Sequence, residues 1–354
     1  MQHLRLCLCL SALAGAALPA YSQSLVMSLP RQSQRSTVSQ RVALTDITIT
    51  YHRPLAGGRK IWGVPNLAPY DRVWRAGANE NTTFEVSDPV SVEGQRLERG
   101  VYGLHMIPNP DSFTVIFSKN ATSWGSFTYD PKEDALRVTV KPRPAEMHEA
   151  LTYEFDDVKP DSTVVTMLWE KLAVPFTVKA SMDATLANIR NQLRNSAQYI
   201  WTGFDDAATW CVDNKVNLEE ALTWADRSIQ QEERFENLTT KARILEAMNR
   251  GSEATALRAK SMEVANATQL YIYGRQLQTQ KQKAEAIAVY RTVAKRFPNH
   301  WLGHLALARS LAADGKFDSA IEEVRASISG APPVQKSGLE GLVKRLENKE
   351  DING

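Results

Sequence analysis

Cysteine, net charge and long apolar runs are all scarce in this chain. Three Cys in 354 residues cannot staple a disulfide scaffold. Forty-two Lys and Arg against 40 Asp and Glu leave a formal charge of +2. That balance excludes a nucleic-acid binder driven by phosphate neutralisation, and it excludes a supercharged or disordered chain. Gly and Pro occur at ordinary counts of 18 and 16, which removes collagen-like and low-complexity classes. Familiar catalytic signatures are missing as well: no Gly-x-Ser-x-Gly elbow, no His-Glu-x-x-His, no Walker loop and no dinucleotide fingerprint. The sequence therefore implies neither a metal centre nor a cofactor.

The one notable apolar stretch lies at the start. Arg5 precedes an apolar run from Leu6 to Ala17, Pro19 breaks it, and Ala20-Tyr21-Ser22 offers a small-residue cleavage site. The run falls short of the roughly twenty residues that a membrane span needs. Residues 1–22 thus read as a signal peptide, with a periplasmic or secreted product and no stable membrane span. Cys7 and Cys9 leave with this segment, and Cys211 is the single thiol that stays. It sits in an apolar helical pattern, as a small buried hydrophobe would.

Beyond this segment the chain has two parts with different hydrophobic periods. From about Val38 to Lys179 the period is two: Ile47, Ile49 and Tyr51 alternate with Thr48 and Thr50, and Leu136, Val138 and Val140 with Arg137 and Thr139. Phe113, Val115 and Phe117 alternate likewise with Thr114 and Ile116. Such short runs, parted by Gly57-Gly58, Glu93-Gly94 and Tyr129-Asp130-Pro131, predict an all-β antiparallel sandwich or jelly-roll-like domain over 33–179. After Ser181 the period becomes helical. Gly274, Leu277, Ala286, Tyr290 and Pro298 recur thirty-four residues later as Ala308, Leu311, Ala320, Val324 and Pro332. Small residues that let helices approach, larger ones that fill between them and a terminating Pro resemble the tetratricopeptide repeat. An earlier copy fits Ala242, Leu245 and Ala254 with a loop two residues shorter, and a fainter one fits Trp210, Ala221 and Ala225. An all-α tetratricopeptide-like repeat domain is expected over 183–348, with Val334–Leu346 as a terminal cap and a protein partner on its surface.

Candidate chemistry concentrates between Arg31 and Arg75, where eight basic residues face only Asp46 and Asp71. Two readings stand side by side. The guanidinium groups meet an anionic ligand, or they pair internally with acids such as Glu80, Glu85 and Glu170. The segment Asp71 to Asn81 and the loop Gly57 to Gly63 nominate Arg59, Lys60, Trp62, Asp71, Trp74, Arg75, Asn79 and Glu80, and Trp124 with its polar neighbours joins them, as ligand-binding residues for an anion, sugar or peptide. In the alternative, the tryptophans fill the core and Asn79 and Glu80 cap backbone groups. His300 and His304, four apart, share a helix face but fall at an edge and a packing position of the repeat.

These residues also carry a resemblance. Gly58-Arg59-Lys60-Ile61-Trp62-Gly63, Pro69 to Glu80, Gly100-Val101-Tyr102-Gly103-Leu104, Ser123-Trp124-Gly125 and Trp169-Glu170-Lys171 make the stretch from about Ser33 to Val178 similar to the bacterial domain-of-unknown-function family 2911. The resemblance implies an exported, mostly β domain, often followed by helical repeats. It supplies no catalytic residues. The expected function is therefore an exported binding and interaction protein, whose β domain holds a ligand or envelope component and whose repeats dock a protein. The alternative is a hydrolase-like enzyme with a polar cleft at Arg59, Asp71, Arg75 and Glu80.

Overall fold

A computed structural model describes residues 29–353; the expected signal peptide lies outside them. The chain divides into two compact units at Thr185/Leu186. Among the described residues of the first, ten strands form two antiparallel sheets. Strands β1 (Gln34–Val42), β2 (Thr45–Arg53), β3 (Thr82–Val86), β6 (Gly100–Pro108), β7 (Phe113–Ser118) and β8 (Asp134–Val140) lie side by side in that order. The second sheet runs β5 (Gln95–Leu97), β4 (Val90–Val92), β10 (Ser162–Ala180) and β9 (Arg143–Asp156). Alternation explains the sandwich: Ile47, Ile49, Tyr51, Phe84 and Phe117 from one sheet share a buried core with Tyr153, Met167, Phe176 and Val178 from the other.

One strand departs from its expected alternation. Ile116 is as buried as Phe117, because residues 119–133 fold over the outer face of β6 and β7. Hydrogen bonds from the Lys119 N–H to Glu133 O and from the Asn81 N–H to Ser123 O hold that covering segment down. A second long segment, the β2–β3 connection (54–81), ties the two sheets together. On one side Ala56 donates to Glu149 O, and Leu151 donates to Pro54 O, both on β9. On the other, Trp74 and Met106 of β6 exchange both backbone bonds at 2.8 Å.

Helices fill the second unit. After α1 (Met182–Gln192) come four hairpins: α2 (Trp201–Asn214) with α3 (Leu218–Gln231), α4 (Phe235–Ala247) with α5 (Gly251–Val264), α6 (Ala267–Thr279) with α7 (Lys283–Arg296), and α8 (Trp301–Ala313) with α9 (Phe317–Gly330). Helix α10 (Pro333–Glu347) packs on α9. The last two hairpins repeat after thirty-four residues and α4–α6 after thirty-two, matching the spacing read from small and large residues. Close approach is real at Gly274, where an added Cβ would lie 2.6 Å from the Tyr290 ring. Pro298 follows α7, and Pro332 separates α9 from α10. Leu339 and Leu346 of α10 cover the apolar face left by α8 and α9, as a cap should.

Candidate functional site

The β2–β3 connection brings several nominated residues to one cleft of about 560 Å³, a size suited to a small organic ligand. Arg59, Trp74, Arg75 and Asn79 line it, together with Gln32, Ser33 and Trp169. Arg75 is half-buried. Its Nη1 donates to Asn79 O at 2.7 Å, and its guanidinium lies 5.2 Å from the Phe127 ring centroid. Gly125 makes this placement possible: at φ +69°, an added Cβ would sit 2.5 Å from the Arg75 Cζ. Burial pulls the Arg75 pKa downward, although a guanidinium stays charged at any ordinary pH. Arg59 is held by carbonyls as well, donating to Ala56 O and Leu55 O. Among the described residues neither cation forms a salt bridge with a carboxylate. The nearby Glu149 carboxylate instead accepts the Gly57 N–H at 2.7 Å.

Aromatic packing forms the apolar side of this cleft. Trp74 and Trp169 stack at 5.7 Å, and Trp62 meets both edge-on at 5.9 and 6.0 Å. Each such contact adds roughly 0.5–1.5 kcal/mol beyond burial. The indole N–H groups of Trp62 and Trp169 are buried without an acceptor among the described residues. In the sequence Trp169 stands out only within the family resemblance. It reaches the cleft from β10, nearly a hundred positions from Trp74, through a sheet contact that local spacing does not encode.

The remaining nominated residues go elsewhere. Glu80 opens on a neighbouring cleft of about 810 Å³, where Arg31 grips it at 2.6 and 2.8 Å and His52 Nε2 lies 3.3 Å away. Burial works against ionisation of Glu80, but the Arg31 bonds prevail and hold its carboxyl below the ordinary value. Internal pairing is therefore right for Glu80, and for Arg41, which meets Asp46 at 2.6 Å. Trp124 is exposed beneath the Arg31 guanidinium. Trp62 belongs to the aromatic packing rather than to an open rim, and Lys60 sits on a shallow surface with Pro65 and Asn66. Asp71 occupies a turn at φ +59°, its N–H donating to Pro108 O. Arg59, Asp71, Arg75 and Glu80 thus do not form one polar cleft.

One serine–histidine pair invites a nucleophilic reading. His105 Nδ1 lies 2.9 Å from Ser126 Oγ, and burial drives the His105 pKa down to about 4, with Asp134 opposing and Arg75 reinforcing. The third partner is spent: the Asp134 carboxylate receives the Tyr129 hydroxyl at 2.7 Å and the Arg137 guanidinium. The cluster encloses no room for a substrate, so its geometry is that of a closed polar network. In the helical unit, Cys211 is fully buried and its thiol is pushed up to about 11, mainly by burial. His300 Nδ1 accepts the Leu302 N–H at the start of α8, and His304 pairs with Glu323 at 2.7 Å.

Among the described residues no helix is long and apolar enough to cross a membrane. A search of curated proteins finds no match. Solved structures similar to the chain include YrrB, a TPR protein with an unusual peptide-binding site, 14% identical over 47% of this chain and 86% of that one, with a TM-score of 0.27. The repeat architecture of the helical unit rests on its hairpin spacing, not on that likeness. Residues 33–178, which make up most of the β unit, match the family model described as Protein of unknown function (DUF2911).

Proposed function

We propose that the chain is an exported, non-enzymatic binding protein. Its β unit takes a small ligand with an anionic group and an apolar body, and its helical unit docks a protein. One observation carries the ligand class: Arg59 and Arg75 line the same cleft beside Trp74 and Trp169, and neither meets a carboxylate. A half-buried guanidinium held in place by backbone carbonyls retains donors for a carboxylate or phosphate, and the indoles supply apolar area. The helical-hairpin array supports the docking half, since stacked hairpins offer an extended surface. Export is read from residues 1–22, and N-terminal sequencing of the product recovered outside the cytoplasm checks it.

Calorimetric titration tests the ligand class. Aryl-alkyl carboxylates should bind the full chain, their neutral amides should not, and Arg75→Ala should weaken binding about tenfold or more. Equal binding of acid and amide, or an unchanged affinity in Arg75→Ala, would sink the reading.

A further inference from the structure

After α10 the chain does not trail away. It turns back along the helical unit, and Asp351, Ile352 and Asn353 meet α6, α7 and α8 through a turn in which the Asp351 carboxylate accepts the Asn353 N–H at 3.0 Å. Each of the three meets a distinct kind of partner. The Asp351 carboxylate takes the Lys283 ammonium at 2.6 Å, and its backbone carbonyl accepts from Arg345 at 2.8 Å. Ile352 is almost completely buried in the cluster that includes Leu305, Ala308 and Leu346. Its carbonyl accepts from Arg309 Nη1 at 2.5 Å. The Asn353 carboxamide donates to Arg309 O at 2.8 Å, while Gln278 Nε2 donates to both the Asn353 backbone and side-chain oxygens at 2.9 and 3.1 Å.

The receiving surface is organised independently of this segment. Tyr271 OH accepts from Arg309 Nε at 2.8 Å, and Tyr290 OH donates to Gln278 Oε1 at 2.6 Å. Both tyrosine rings lie within 6 Å of the Arg309 guanidinium, at 5.8 and 5.7 Å. That leaves Nη1 of Arg309 and the Nε2 of Gln278 for a peptide backbone. Tyr271 and Gln278 on α6 and Arg309 on α8 belong to the first helices of two successive hairpins, which touch each other, so the surface runs from one hairpin to the next. Recognition here is of backbone carbonyls plus a carboxylate, a branched aliphatic and a carboxamide in series, the combination by which grooves read short peptides.

We propose that this surface is a peptide-binding groove for segments of acidic–aliphatic–Asn character, and that residues 351–353 occupy it in cis, so that an outside partner must displace them. The proposal deepens the docking half of the function proposed above and rests on it. A segment tethered a few residues from its site competes at an effective concentration of order millimolar or more. The apparent affinity for a partner falls by the same factor as the fraction of open groove.

The experiment uses the full chain. A fluorescent peptide of residues 348–353, blocked at both ends, is titrated by anisotropy against the natural protein and against the triple variant Asp351→Ala, Ile352→Ala, Asn353→Ala. The triple variant should bind roughly 100-fold more tightly than the natural chain. Adding Gln278→Ala, a half-buried position whose loss should leave the fold intact, should remove about tenfold of that gain. Thermal melts confirm that both variants remain folded. Equal affinity of the natural chain and the triple variant overturns occupation in cis, and indifference to Gln278→Ala overturns the groove assignment. Should the triple variant bind a scrambled peptide equally well, docking stands and the sequence preference falls. If the folded variant binds neither peptide, docking on this surface falls with it.

Discussion

Arg75 and Arg309 set the same problem in the two units and receive different answers. Each is a guanidinium partly or wholly out of water, and neither forms a salt bridge with a carboxylate among the described residues. In the helical unit the answer is closed. Tyr271, Tyr290 and the Ile352 carbonyl surround Arg309, which is only 5% exposed. In the β unit the answer is open, because Arg75 has Asn79 O and the Phe127 face and then a cleft. Other cations of the helical unit do meet acids, for example Arg258 with Glu246 and Arg243 with Asp213. A guanidinium drawn out of water without an acid needs another acceptor. In one unit that acceptor is the chain's own backbone. In the other the place is open.

Truncation separates the two answers most strongly. Arg309→Ala should cost the helical unit about 3–4 kcal/mol, since it strands the Ile352 carbonyl and empties the space between two tyrosines. Arg75→Ala should cost the β unit about 1 kcal/mol or less, losing one carbonyl bond beside a cleft. Urea unfolding followed separately in each unit by hydrogen exchange checks both numbers. A large loss in Arg75→Ala would mean that the cleft is structural after all.

Acid and base should drive the two units in opposite directions, by somewhat less. The His105 pKa falls from 6.5 to about 4 on folding. Between those values the unfolded chain holds a proton that the folded β unit refuses. Its contribution is complete above 6.5 and is lost as the pH falls toward 4, a change of roughly 3 kcal/mol. In α2, burial raises Asp205 from 3.8 to about 6, and one of its carboxylate oxygens has no hydrogen-bond partner among the described residues. Here the contribution is complete below 3.8 and is lost as the pH rises through 6. Asp205→Asn should accordingly stabilise the helical unit at pH 8 by about 2 kcal/mol and leave it unimproved near pH 4. Melts of the natural and Asn forms across that range test the sign.

The smallest effect concerns the pair beside the second cleft. Arg31 and Glu80 are both nearly half exposed, so Arg31→Ala should change stability by less than about 1 kcal/mol. It should also release Glu80 toward an ordinary carboxyl pKa, which NMR titration of the side chain would detect.

Much of the architecture was legible because it is local. The alternation of Ile47, Ile49 and Tyr51 is set by the pleat, and the thirty-four-residue recurrence from Gly274 to Ala308 by a helix pair that repeats itself. Ile116 broke its pattern because the segment 119–133 folds back over its face, a tertiary contact that the pleat does not encode. The site was legible only in part for the same reason. Arg59, Trp74, Arg75 and Asn79 come together along one connection, whereas the Arg31–Glu80 pair spans 49 residues and Trp169 arrives from the opposite sheet. The segment 351–353 gave no sign of burial, because the side chains that donate to its carbonyls lie on helices of two earlier hairpins.

The connection that carries Arg59 and Arg75 is fastened to both sheets, which has a consequence for the order of assembly. Its bonds to β9 join groups more than ninety residues apart, as in Gly57 to Glu149 and Pro54 to Leu151. Closing loops of that length is slow and entropically unfavourable until the sheets themselves are in place. The cleft should then be among the last parts of the β unit to form during refolding, after the β1–β2 and β6–β7 hairpins. Ligand capture during refolding would serve as a clock for completion of the sandwich.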